Sequence, residues 1–315
     1  MEIGGCSNLP LEISLRCLFE VGDVVRVLIT GHTGFIGSNM FKFLESIGEE
    51  PVGYSRSTGH DIFNIEQLKS MVKRCDLVYH FAAYAKPAES ILNPVEAIEV
   101  NMKGTLNVLE ACRSEEVPLI YPSSCEIYGD SEVPIREDFP INPPNPYAAS
   151  KAAADRICYT YFRSYGMDVK IVRLFNPYGP NQQLNKIIPT FYFQAIHNEP
   201  ITVFGDGSDT RDYVYVGDIV KGMWMARELP PGEVVNLATG IATTNLEIAE
   251  LIIELTGSDS EIKLVDYPEI FGNIRKQVGS YDKAKNMMGW EPETKLEDGV
   301  KTTLRWLDSI GGDKK

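Results

Sequence analysis

Short apolar runs alternating with amphipathic stretches organise the first 175 residues. Val24 to Thr30 (VVRVLIT) is apolar and β-branched, the pattern of a strand buried on both faces of a parallel sheet. A helical pattern follows from Phe35 to about Ile47, then a short strand at Pro51 to Tyr54, a helix over Ile65 to Lys73 and a strand Leu77 to Ala82. A long amphipathic stretch from Pro94 to about Glu115 leads to a strand at Leu119 to Ser123, a helix at Tyr147 to Tyr165 and a strand at Val169 to Leu174. Strands and helices in alternation predict an α/β fold with a doubly wound parallel sheet.

Beyond residue 175 Pro and Gly punctuate the chain (NPYGPNQQ, FGDGSDTRD, LPPGE), and helical patterns return at Asn245 to Leu255 and Leu296 to Leu307. This part reads as a smaller mixed α/β substrate-binding region. The expected division is residues 24–175 as dinucleotide-binding domain and 176–315 mostly as substrate region, with some segments returning to the sheet. The first 23 residues lack the basic start and unbroken apolar run of a signal peptide and read as an appendage or a misassigned start. A native start near Val24 or Val25 is the expectation, which an intact mass from the native host would test.

Composition narrows the partners. Thirty basic against forty-four acidic side chains give a net charge of -14, which disfavours nucleic acid and anionic membrane surfaces. No apolar run approaches the ~20 residues that span a bilayer. The six cysteines (6, 17, 75, 112, 125 and 158) have neither Cys-x-x-Cys nor zinc-ligand spacing, so free thiols, no metal and a cytoplasmic setting are expected.

Chemistry concentrates in three places. Gly31, Gly34 and Gly37 stand between the first strand and first helix in TGHTGFIGS, where glycines let a pyrophosphate approach the backbone and the helix N-terminus. The second strand ends in Tyr54, Ser55, Arg56 and Ser57, without the carboxylate that accepts the ribose hydroxyls of NAD. Arg56 therefore leans the cofactor toward NADP, with NAD open. Tyr147 and Lys151, one helical turn apart in NPYAASK, can serve as base and ammonium, the cation and an oxidised nicotinamide lowering the phenol's pKa. Ser123 and Ser124 end the fourth strand, at the carboxyl edge where such sheets carry their sites.

These segments, with HFAA at His80, NMKGTLNVL at Asn101, RLFNPYGP at Arg173, FGDGSDTRDYVYVGDI at Phe204 and GNIRKQVGSYDKA at Gly272, resemble the extended short-chain dehydrogenase/reductases, in particular the nucleotide-sugar epimerase/dehydratase family. The resemblance implies a catalytic triad of Ser124, Tyr147 and Lys151. It further implies a cofactor loop of Gly31, Gly34, Phe35, Ile36 and Gly37, adenine contacts from Asp61 and Ile62, lining by Ala82 and Ala83, and a ribose contact from Asn101. Asn176, Arg211 and Arg275 match positions that hold the pyrophosphate of a nucleoside-diphosphate sugar. A homodimer joined through the helices around Asn101 and Tyr147 is also implied.

The implied first step removes the C4 hydroxyl proton to Tyr147 and the C4 hydride to the nicotinamide. A UDP-sugar 4-epimerase is the leading expectation. Cys125 and Glu126 keep 4,6- or 5,6-dehydration as the alternative, because Glu126 can take the C5 proton while Cys125 replaces the carboxyl acid usual in 4,6-dehydratases. The Ser-Cys-Glu run resembles the 5,6-dehydratase of tunicamycin assembly, and related decarboxylases use Ser before Glu. A non-catalytic dinucleotide sensor is the alternative of another class, disfavoured by the intact triad.

Overall fold

The computed structural model describes residues 23–267 and 274–311. Residues 1–22, on which most of the predicted appendage falls, lie outside the described residues, as do Gly272 and Asn273. The main sheet has six strands, β1 (Arg26–Thr30), β2 (Glu50–Tyr54), β3 (Leu77–His80), β4 (Leu119–Ser124), β5 (Val169–Leu174) and β6 (Val234–Leu237). Their spatial order is β6-β5-β4-β3-β1-β2, and every neighbouring pair is parallel. The chain reverses its winding direction between β1 and β3, and a ligand crevice opens beyond the strand ends at such a switch. The expected doubly wound sheet is the one observed.

Helices α1 (Phe35–Ser46), α2 (Ile65–Val72), α3 (Gly104–Glu115) and α4 (Pro146–Tyr165) cover the sheet. Apolar side chains form one cluster on each face: Val27, Ile29, Met40, Leu44 and Trp224 on one, Leu28, Val78, Val108, Leu109 and Ile171 on the other. Burial on both faces explains why these strands read as continuous apolar runs rather than alternating ones. Helix α4 starts because Asn145 accepts the Ala148 N–H and Pro146 occupies the first position, and it stops at Gly166 in the left-handed region.

The stretch from Pro94 to Glu115 is not one helix. It comprises a turn of helix at Pro94–Ile98, a π-helical turn at Glu99–Lys103 and then α3. The widened turn carries Asn101, and Gly104 lets α3 pass Ile62, whose Cδ1 would lie 2.4 Å from an added Cβ.

Downstream of β5 the chain builds a second lobe around Tyr178, Ile188, Phe191, Ile201, Ile248 and Leu304. Its parallel strands Ile201–Phe204 and Ile262–Val265 pack with helices Ile187–Ile196, Asn245–Thr256 and Leu296–Gly311. Two segments of this half return to the main sheet: β6 at its edge, and helix Val216–Met225, whose Ile219, Met223 and Trp224 join the core under α1. Among the described residues no helix is long and apolar enough to cross a membrane. Cys75, Cys112, Cys125 and Cys158 are buried free thiols.

Candidate active site

The loop after β1 turns back on itself because Gly31 adopts φ +72° and its N–H donates to the Tyr54 carbonyl at 2.8 Å. A Cβ on Gly31 would lie 2.6 Å from the Ala82 nitrogen, and one on Gly37 would lie 2.3 Å from the Gly31 oxygen. Only glycine lets the β1 loop, α1 and the end of β3 meet this closely. Beside them lies a cavity of about 320 Å³ lined by Gly34, Ser55, Arg56, Asp61, Ile62 and Ala82, among others. A second cavity, of about 370 Å³, shares Gly31, Gly34, Phe81 and Ala83 with it and extends past Phe35, Ile36 and Gly37 to Ser124 and Tyr147. A dinucleotide fits this arrangement: glycine backbone and a helix start for the phosphates, a polar strand end for one ribose and apolar wall for the rings.

A buried chain of hydrogen bonds holds the floor. The Ala82 N–H donates to Thr30 Oγ1 (3.2 Å), which lies 2.7 Å from His80 Nδ1, while His80 Nε2 lies 3.0 Å from Thr105 Oγ1. Thr105 in turn donates to the Asn101 carbonyl at 2.6 Å, so its oxygen accepts from Nε2 and the imidazole is the neutral tautomer with its proton there. Burial, then the charge of Lys151, depress the His80 pKa to about 3.

Beyond β4 a short helical turn, Cys125–Tyr128, projects Cys125 and Glu126 into the second cavity beside Ser124 and Tyr147. Its far end is tethered: Arg173, buried on β5, donates to the Tyr128 hydroxyl at 2.7 Å and pairs with the buried Asp155 of α4 at 3.0 Å. Burial, then the Glu126 charge, raise the Tyr147 pKa, and the hydrogen bond with Ser124 opposes them. Lys151 is not among the groups that shift it, so the lowering expected from that cation is not found in the protein alone. Lys151, brought down to about 8 by burial, turns its ammonium to the Pro122 carbonyl at 2.7 Å. A cationic ring in the cofactor cavity would supply the missing positive charge.

Burial also raises Glu126, opposed by a hydrogen bond from Asn145 (3.3 Å) and by the charges of Lys186 and Arg211. The Cys125 thiol is pushed well above its ordinary range and stays protonated. Opposite the sheet, Asn176, Gln182, Lys186, Ile187 and Arg211 close the cavity. Arg211 donates to the Thr210 carbonyl at 2.9 Å, and its neighbour Asp212 is a buried carboxylate that accepts the N–H groups of Thr239 (2.8 Å), Gly240 (2.9 Å) and Gly279 (3.1 Å). On the sheet side Ser90 accepts the Tyr147 N–H at 3.0 Å and donates to the Pro87 carbonyl at 2.6 Å.

Two residues expected at the ligand, Asn101 and Arg275, line neither cavity. Asn101 is buried and its amide is spent on Tyr84 N (2.7 Å), Tyr84 O (3.1 Å) and Ser150 Oγ (2.9 Å), so it anchors the loop after β3 instead of facing the cavity. Arg275 is exposed, its backbone bonded to Asp130 and Thr210, and it lines neither cavity. The cation that joins Arg211 in the wall is Lys186, which the sequence reading missed, along with Asn145 and Asp212. The dipeptide Asn145-Pro146 ahead of the helix was the available signal for Asn145.

A family model described as the NAD dependent epimerase/dehydratase family matches residues 27–238. UDP-glucuronic acid decarboxylase 1 of Danio rerio is 33% identical over 307 residues, covering 90% of this chain and 73% of that protein. The solved UDP-glucose 4-epimerase of Thermus thermophilus, in complex with NAD, is 31% identical with a TM-score of 0.82, over 89% of this chain and 98% of that one. DesIV, the dTDP-glucose 4,6-dehydratase of Streptomyces venezuelae solved with NAD and TYD bound, is 27% identical with a TM-score of 0.86, over 91% and 98%.

Proposed function

The chain belongs to the NAD dependent epimerase/dehydratase family of nucleotide-sugar enzymes, and from that premise we propose that it oxidises C4 of a UDP-hexose and then eliminates water across C5 and C6. The carrying observation is Glu126: a buried carboxyl in the cavity wall beside Ser124 and Tyr147, where inversion at C4 needs no acid or base beyond Tyr147.

NAD, present in solved relatives, is the proposed cofactor, with NADP the alternative that Arg56 raises. Held by the glycine loop and the cavity beside it, it would supply reversible hydride exchange with the sugar, accepting from C4 and giving back to the sugar. Tyr147 removes the C4 hydroxyl proton, with Ser124 hydrogen-bonded to the same oxygen and Lys151 favouring the phenolate. The resulting C4 carbonyl acidifies C5. Ionised Glu126 takes the C5 proton, burial favouring the protonated carboxyl that results, and that proton then passes to the departing C6 hydroxyl, which leaves as water. Cys125 remains a neutral donor beside that oxygen. Arg211 with Lys186 would face the pyrophosphate, the guanidinium forking onto its oxygens.

C4 epimerisation is the second reading, favoured by the likeness to the Thermus 4-epimerase and by a triad sufficient for it. NMR of products from UDP-glucose, UDP-N-acetylglucosamine and UDP-glucuronate separates the cases. Loss of water supports the proposal, an inverted C4 supports epimerisation, loss of carbon dioxide from the uronate supports decarboxylation, and no turnover of any sugar supports a sensor. Exposed Leu92, Val95, Ile98 and Leu106, on the helices that precede and form α3, support a homodimer through this side, which light scattering would test.

A further inference from the structure

Asn145 joins two parts of the site that no other side chain connects so directly. It lies nine-tenths buried at the start of α4, two residues before Tyr147. Its Oδ1 accepts the Ala148 N–H at 2.8 Å and its Nδ2 donates to Glu126 Oε2 at 3.3 Å. The amide cannot turn over without putting its NH2 group against the Ala148 N–H, two donors face to face. Nor does the cap oxygen have another first-turn donor to turn to: Pro146 has no N–H, and the Tyr147 N–H is already given to Ser90.

We infer that Asn145 is the positioning residue for Glu126: by capping the helix that carries Tyr147 and Lys151 with one end of its amide, it fixes the donor that the other end presents to the Glu126 carboxylate. The pairing holds the carboxylate and the phenol in one register. It also gives the buried carboxylate a donor, which favours the ionised form that accepts a proton.

The other groups acting on Glu126 come from different elements. Lys186, at the start of helix Ile187–Ile196, and Arg211 lower its pKa, while Tyr147 and Cys125 lie beside it as neutral donors. None of them caps α4, so among the described residues Asn145 is the side chain that bonds both helix start and carboxylate. The role of Glu126 as base rests on the proposed elimination; its orientation by Asn145 does not.

The test uses Asn145→Ser and Asn145→Asp in the full-length protein. Serine keeps a good helix cap but is too short to reach Glu126, whereas aspartate keeps cap and reach but faces Glu126 with a second carboxylate. Glu126 is titrated by the infrared band of its protonated carboxyl, assigned by its absence in Glu126→Gln. Solvent deuterium uptake at C5 and reduction of bound NAD are followed in parallel with UDP-hexose.

The expected result is a Glu126 midpoint raised by about one pH unit in Asn145→Asp, with the ratio of C5 exchange to C4 oxidation about tenfold lower on the acid limb. Asn145→Ser moves both in the same direction by less, and both variants melt near wild type. An unshifted Glu126 midpoint in Asn145→Asp overturns the inference, as does a parallel loss of exchange and oxidation with an unshifted midpoint, the mark of a helix cap alone. A shifted midpoint together with wild-type C5 exchange in Glu126→Gln upholds Asn145 as the positioning residue and overturns the elimination proposal instead.

Discussion

The Lys151 ammonium lies over the face of Tyr121, 4.2 Å from the ring centroid, on the strand whose Pro122 carbonyl it also bonds. A ring quadrupole is one of the few groups that can steady a desolvated cation without neutralising it, and such contacts are worth on the order of 2 kcal/mol when buried. Removing the ring face disfavours the charged lysine. Tyr121→Leu should therefore move the alkaline limb of the pH–rate profile, set near the Lys151 value of about 8, downward by about one unit, whereas Tyr121→Phe leaves it in place. An unmoved limb in the leucine variant would show that the carbonyl and burial alone set the lysine.

Glu126→Gln keeps the shape of the carboxyl and removes its proton chemistry. If Glu126 is the C5 base, C4 oxidation persists, read as reduction of bound NAD, while water loss falls by about a hundredfold or more, in the range that acid–base groups supply. An epimerase would tolerate the change within a few-fold.

At the cofactor loop the backbone itself is the binding surface. Gly37→Ala puts a methyl 2.3 Å from the Gly31 oxygen and should weaken NAD binding at least about tenfold by calorimetry. Arg56→Ala is the contrasting case: with NAD as cofactor its affinity changes less than about twofold, and only NADP binding suffers.

The Arg173–Asp155 pair is buried on both sides, so removing the cation strands a carboxylate in the interior. Arg173→Leu is expected to cost about 3 kcal/mol in urea unfolding, near the low end for broken buried pairs because Arg156 also pairs with Asp155. Loss of the tether at Tyr128 should also loosen the turn that carries Cys125 and Glu126.

His80 makes stability depend on acid. Its folded pKa, about 3, lies below the unfolded value near 6.5, so between those limits the unfolded chain binds more protons. This contribution to stability is therefore full above about 6.5 and declines by about 1.4 kcal/mol per pH unit as the pH falls toward 3. In His80→Gln the melting temperature should depend less steeply on pH between 6.5 and 4, and an identical slope would rule the histidine out.

How much could be read in advance follows from how local each signal is. Gly31, Gly34 and Gly37, Ser124, and Tyr147 with Lys151 sit beside the turns or on the helix they belong to, and their patterns predicted the loop, the strand end and the helix that the structure shows. The strands β1 to β5 were legible for the same reason, as apolar runs bounded by turns. β6 was not, because Val234–Leu237 is four residues long and follows a Pro-Pro-Gly segment, and only its pairing with β5 marks it as part of the main sheet. That Lys186 lines the cavity and Arg275 lines neither was illegible for a related reason. Which of two distant cations faces a ligand is decided by packing between lobes, and the Asp212 hydrogen bonds that order this region cross sixty-seven residues of sequence to Gly279. Asn101 shows the converse: a residue placed by resemblance at the ribose proves to have its whole amide occupied by the protein.

Ser90 gives the cleft its handedness. One hydroxyl fastens the segment beginning at Pro87, which forms one bank of the cavity, to the first turn of the helix bearing Tyr147. That bank cannot yield to an arriving sugar without dragging the phenol with it. The opposite bank, from Gln182 to Ile188, belongs to the other lobe and carries no such fastening to the phenol's helix among the hydrogen bonds of the described residues. Under the proposed function, accommodation of sugars of different bulk falls to the side opposite Tyr147, and alignment for the reaction is kept on the side that bears it.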